Sequence, residues 1–84
     1  PAREKSRFIL ERTFSGEMMV EEFNREFGVV LDPDEKLTLS QLMSKKLGHH
    51  PEEGESIYIE PFELTAKETS LLEVKSIIIK TRTN

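Results

Sequence analysis

The sequence predicts an α+β fold in the order strand, helix, helix and three strands, a mainly antiparallel four-stranded sheet with two short helices packed on one face. Three observations carry this expectation. Apolar residues in the middle of the chain recur at offsets of three and four, and each of those stretches stops at a glycine. In the last third they recur at every second position, and the stretch before Ser15 alternates in the same way. With 84 residues the chain has room for one hydrophobic core. So short a domain buries only about 60–65% of the surface its unfolded chain exposes, so docking onto a neighbour would add to its stability.

The first strand is read over Arg7 to Phe14, where Phe8, Leu10 and Phe14 share one face, Ile9 takes the other and Arg12 interrupts the pattern. Ser15-Gly16 forms the turn that follows. A helix from about Met18 to Phe27 then buries a stripe of Val20, Phe23 and Phe27. Glu21 and Glu22 suit its positive end, Glu21 lies one turn before Arg25, and Gly28 supplies the left-handed stop. The second helix starts at a capping box, Thr38 with Gln41, and Leu37 can staple onto Leu42. Leu39, Leu42, Met43 and Leu47 form its buried stripe, Lys45 and Lys46 complement its negative end, and Gly48 closes it.

Beyond the loop at residues 49–54 the period changes to two. Ile57 and Ile59 alternate with polar neighbours, Pro61 breaks the run, and Phe62, Leu64 and Ala66 resume it. Thr69-Ser70 turns the chain into the last strand, in which Leu72 and Val74 face one way and Ile77 and Ile79 the other. Two explanations stay open: a bulge near Lys75 and Ser76 resets the register, or the second half of the strand is covered on both faces. The bulge is preferred. The polar stretch Pro1 to Ser6 reads as the remnant of a linker, which leaves residues 7–84 as the folded domain.

Composition narrows the function classes. The chain is 36% hydrophobic and 33% charged with both signs interspersed, as expected of a water-soluble globular domain. A net charge of −4 with scattered lysines and arginines lacks the footprint that nucleic-acid binding requires. No apolar run is long enough to span a bilayer, so this segment is not expected to insert into a membrane. There is no cysteine, which excludes disulfides, thiolate metal sites and thiol nucleophiles.

His49, His50, Glu52, Glu53 and Glu55 form the one cluster of metal-ligand residue types. Adjacent residues in an extended segment point apart and no His-x-x-x-His spacing is present, so no metal and no other cofactor is expected there. Asp32-Pro33-Asp34-Glu35 departs from a calcium loop at Lys36 and reads as a turn into the second helix. Ser40 and Ser44 stand on a helix without a nucleophile elbow, and no phosphate-binding glycine motif occurs, so no enzyme is expected. Ile77 and Ile79, in an apolar run bracketed by Lys75 and Lys80, read as core, with an interaction surface toward a partner domain or a second copy as the alternative.

The chain resembles the CorC/HlyC transporter-associated domain. The likeness rests on the strand ending in Ser15-Gly16, on Val20-Glu21-Glu22-Phe23-Asn24 closing at Phe27-Gly28, and on Thr38-Leu39. Most specific is Leu47-Gly48-His49-His50-Pro51-Glu52-Glu53-Gly54-Glu55, which resembles the family's Leu-Gly-x-x-Pro-x-x-Gly-Glu loop. The positions of Gly16, Gly28, Thr38, Gly48, Pro51, Gly54 and Glu55 are thus expected to be structural. Ser15, Gln41 and His49 depart from the usual Asp, Gly and Arg, although Gln41 completes the helix cap.

The resemblance implies a cytoplasmic appendage of an integral membrane protein, following a pair of CBS domains and a membrane domain. These would be its partners, with a homodimer as a further possibility. The implied role is a non-catalytic regulatory or assembly module of an ion transporter linked to magnesium and cobalt efflux. The alternative is a domain that senses a small ligand or divalent cation through the loop from His49 to Glu55.

Overall fold

A computed structural model of the chain describes residues 10–81. Its elements are β1 (Glu11–Ser15), α1 (Val20–Phe27), α2 (Leu39–Leu47), β2 (Ser56–Ile59), β3 (Phe62–Thr69) and β4 (Val74–Thr81). The four strands form one sheet in the order β1-β4-β3-β2, and each neighbouring pair is antiparallel. The α+β expectation is met. Arg7, Phe8 and Ile9, read above as the start of the first strand, lie outside the described residues.

Register decides which side chains share the core. Leu64 stands opposite Ile79 and Ile57, Ala66 opposite Ile77, and Phe14 opposite Ile77 across the other edge of β4. These residues are all buried together with Val20 and Phe23 of α1 and Leu39, Leu42 and Met43 of α2, so both helices cover that same face. Phe23 fixes the contact: its ring lies 5.4 Å from Phe14 and 5.6 Å from Phe62, both edge-on. Arg12 breaks the apolar alternation of β1 because its guanidinium lies over aromatic rings, 5.0 Å from Phe14 and 5.8 Å from Phe27, while the residue stays exposed.

The phase slip in the last strand is a bulge. Thr69 pairs with Val74, Glu68 with Ser76 and Ala66 with Ile77, which leaves Lys75 without an opposite residue on β4 and Lys67 without one on β3. One inserted residue in β4 turns Val74 back onto the face of Ile77 and Ile79, and all three are fully buried. Leu72 does not share that face as expected. It stands in the β3–β4 turn, 91% exposed.

The helix starts are joined to each other. Val20 N–H donates to Leu37 O at 2.8 Å and Leu39 N–H to Met18 O at 2.8 Å, an antiparallel bridge between Met19 and Thr38. Glu21 N–H reaches Glu35 O and Ser40 N–H reaches Gly16 O, so first-turn donors of each helix are satisfied by the segment leading into the other. Helix α1 starts two residues later than the periodicity suggests, because this exchange places Met19 at the cap. Glu22 Oε1 then accepts from Met19 N–H at 3.1 Å. In α2 the expected box is present in both directions: Gln41 N–H to Thr38 Oγ1 at 3.1 Å and Thr38 N–H to Gln41 Oε1 at 2.9 Å.

Candidate functional site

The loop from Gly48 to Glu55 is the segment with the most distinctive sequence, and its geometry accounts for each unusual residue. Gly48 leaves α2 at φ 82° and Gly54 turns the chain at φ 92°, both in the left-handed region that a Cβ disfavours by about 1–2 kcal/mol. The turn at Gly54 lets its N–H donate to Ala66 O at 2.8 Å while Glu55 O accepts from Ala66 N–H at 2.9 Å, which seats the loop on β3. Pro51 is fully buried. Glu55 Oε1 accepts from Glu52 N–H at 2.9 Å, and Glu55 N–H donates to Glu52 O at 3.0 Å.

The two imidazoles diverge from this frame. His49 Nε2 faces Glu55 Oε2 at 3.6 Å and its Nδ1 faces His50 O at 3.0 Å. His50 reaches the other way, to Ser70 O at 2.7 Å in the β3–β4 turn. A carbonyl only accepts, so His50 carries a proton on Nε2. Glu52 enters the loop through its backbone N–H and carbonyl. The four metal candidates, His49, His50, Glu52 and Glu55, therefore do not converge. Among the described residues no group of three His, Cys, Asp or Glu could hold a metal ion.

Ile77 and Ile79 require a correction to the alternative considered above. Both are 0% exposed under the helices, on a strand that lies between β1 and β3, so neither offers a surface. The run of three isoleucines is apolar because Ile77 and Ile79 fill the core, while Ile78 stands half-buried on the outer face between Thr13 and Thr65.

Gly16 is needed for close approach. A Cβ there would collide with the Val74 carbonyl oxygen, and the backbone around it donates from Gly16 N–H to Lys75 O at 2.9 Å.

Three buried polar residues carry roles that sequence reading did not assign. Asn24 locks the loop after α1: its Oδ1 accepts from Leu31 N–H at 2.8 Å and its Nδ2 donates to Glu35 Oε2 at 2.9 Å. Ser40 Oγ accepts from the buried Val74 N–H at 2.8 Å, so this hydroxyl holds the start of β4. Asp32, 3% exposed, takes Asp34 N–H at 2.9 Å and Lys45 Nζ at 3.1 Å on Oδ2, with Lys46 Nζ 3.7 Å from Oδ1. Its carboxyl is held below the usual carboxylate range. The Asp34 hydrogen bond is the main cause; against the opposing effect of burial it is joined by the Lys45 hydrogen bond and the charges of Lys45 and Lys46. Lys45 and Lys46 were legible as helix-end cations, but their partner sits in a loop and only the fold brings it near.

Comparison with known proteins agrees with this picture. The family model described as a transporter associated domain, CorC_HlyC, matches residues 11–83. Among solved structures, a hemolysin domain from Enterococcus faecalis V583 is 27% identical with a TM-score of 0.76, covering 87% of this chain and 89% of that one. A Mg2+ and Co2+ transporter (CorC) associated region from Neisseria meningitidis MC58 is 23% identical with a TM-score of 0.76, covering 87% of this chain and 89% of that one. A CorC_HlyC domain from Haemophilus ducreyi, 13% identical, shares the fold at a TM-score of 0.78 over 89% of this chain and all of that one, 100%. A search of curated proteins gives no match. With the glycine-delimited helices, the seated loop and the family model all coinciding over the described strands and helices, the chain belongs to the CorC_HlyC family of transporter-associated domains.

Proposed function

We propose that the chain is a non-catalytic regulatory or assembly module of a membrane ion transporter, linked to divalent cation efflux and placed on the cytoplasmic face. Its neighbours in this reading are CBS-pair and membrane domains of the same parent protein. The observation that carries the reading is the loop from Gly48 to Glu55. Its distinctive residues are engaged in shaping the loop and fastening it to β3, rather than in facing a ligand. Such a domain acts by contacts that differ between two conformations of its parent, because only differential contact shifts an equilibrium. A homodimer through Ile77 and Ile79 has no place in this reading, since both are buried.

Family membership supports the transporter link, and no helix of the described residues is long and apolar enough to cross a membrane. Deleting residues 7–84 from the parent is expected to change ion efflux or its regulation; unchanged efflux at normal expression contradicts the proposal. The competing sensor reading rests on the proximity of His49 and Glu55. Calorimetric titration of the chain with magnesium, cobalt, zinc and ATP separates the two, because binding at that pair is expected only for a sensor.

A further inference from the structure

Leu71 and Leu72 form the tip of the β3–β4 turn and are 95% and 91% exposed. Every other leucine among the described residues is buried or half-buried. Two-residue hairpin tips ordinarily carry Asn, Asp or Gly, for which the turn itself supplies a reason. No such reason applies here, because no non-glycine residue among those described has a positive φ.

The tip is also held in place. Ser70 N–H donates to Glu73 O at 2.8 Å, Ser70 Oγ lies 3.4 and 3.3 Å from the N–H groups of Leu72 and Glu73, and His50 grips Ser70 O. The leucines are therefore presented on an ordered turn, which lowers the entropy lost on contact.

Beside Leu72 lies an open depression of about 490 Å³, lined by Gln41, Ser44 and Lys45 along α2 and by Glu17 and Glu73. The charge of Lys45 is answered by Asp32. The carboxylates of Glu17 and Glu73 meet no cation among the described residues, so the depression is negative where it borders the exposed leucines.

We propose that this depression and the Leu71-Leu72 tip form a docking surface for a polypeptide segment that sets a basic side chain beside apolar ones. Charge complementarity selects that occupant: a lysine or arginine would meet Glu17 and Glu73 while its apolar neighbours cover the leucines. The same carboxylates, and a net charge of −4, disfavour an anionic membrane surface. The inference rests on the docking function proposed above and gives it a location.

The test is NMR titration of the isotope-labelled chain with a synthetic leucine–lysine peptide, a leucine–glutamate counterpart, and vesicles of phosphatidylcholine and phosphatidylglycerol. The leucine–lysine peptide is expected to shift the amides of Ser44, Leu71, Leu72 and Glu73, with affinity falling roughly tenfold in L71S/L72S. In E17K/E73K the preference should pass to the leucine–glutamate peptide. Shifts scattered over the acidic surface and unaffected by L71S/L72S overturn the proposal, as does equal binding of both peptides. Vesicles perturbing the same tip in place of the peptide would assign it to a membrane instead. If these binding effects are absent while deletion of the domain still alters efflux in the parent, the surface is wrong and the function stands; if deletion has no effect, the function itself fails.

Discussion

Gly16 and Asp32 show how single residues close this small fold. At Gly16 the backbone of the first turn lies against the Val74 carbonyl, so any side chain must push two segments apart. We expect G16A to destabilise the chain by more than about 3 kcal/mol. G48A, where the only obstacle is a left-handed φ of 82° with nothing within 4 Å, should cost about 1–2 kcal/mol. Urea unfolding of the two variants checks the order. Asp32 adds a pH dependence whose sign follows from its lowered pKa. Because the folded value lies below the unfolded one, the stabilisation is complete above the ordinary carboxylate value of about 3.9 and is lost as pH falls through the folded value. D32N should therefore cost about 1–3 kcal/mol at pH 7, and the gap between the variant and the parent chain should close as pH falls from the ordinary carboxylate value through the lowered folded one. A constant gap across that range would show that the charge of Asp32 contributes nothing.

At the scale of elements, the bulge in β4 explains how an irregular sequence makes a regular core face. Lys75 is the inserted residue that returns Val74 to the side of Ile77 and Ile79. Deleting Lys75 alone should turn Val74 outward, release the Val74 N–H from Ser40, and lower the thermal midpoint by more than 10 °C, on the basis of roughly 2 kcal/mol or more lost from so short a domain. A midpoint within a few degrees of the parent chain would mean that the bulge simply moves. The helices and strands were legible because each carries its own period and its own stop: Gly28 and Gly48 end the helices, and Thr38 with Gln41 begins the second. The loop from Gly48 to Glu55 was legible as a motif, but not what its residues do, since burial of Pro51 and the pairing with Ala66 exist only once β3 is beside it. The start of α1 was misplaced for the same reason: its cap is the backbone of residues 35–37, distant in sequence. Ile77 and Ile79 were legible as core, but an interaction surface stayed open as the alternative, because a run of three isoleucines does not reveal whether its strand is central or at an edge.

For the whole molecule, the described polar side chains form a pattern of internal fastening. Asn24, Asp32, Ser40 and Glu55 each bind backbone N–H groups, and among the described residues no group of three His, Cys, Asp or Glu could hold a metal ion. In the proposed role such a body would influence a transporter through the surfaces it presents, and docking would add to the marginal stability usual for so short a domain. The most direct test is ion efflux by the parent protein in three forms: intact, lacking residues 7–84, and carrying H49A/E52Q, which removes two of the four ligand-type side chains while keeping the contact of His50 with Ser70 O and that of the Glu55 carboxylate with Glu52 N–H. The docking account predicts that the deletion alters efflux or its regulation and that H49A/E52Q behaves as the intact protein. A deletion without effect, or an H49A/E52Q variant that reproduces the deletion, would contradict it.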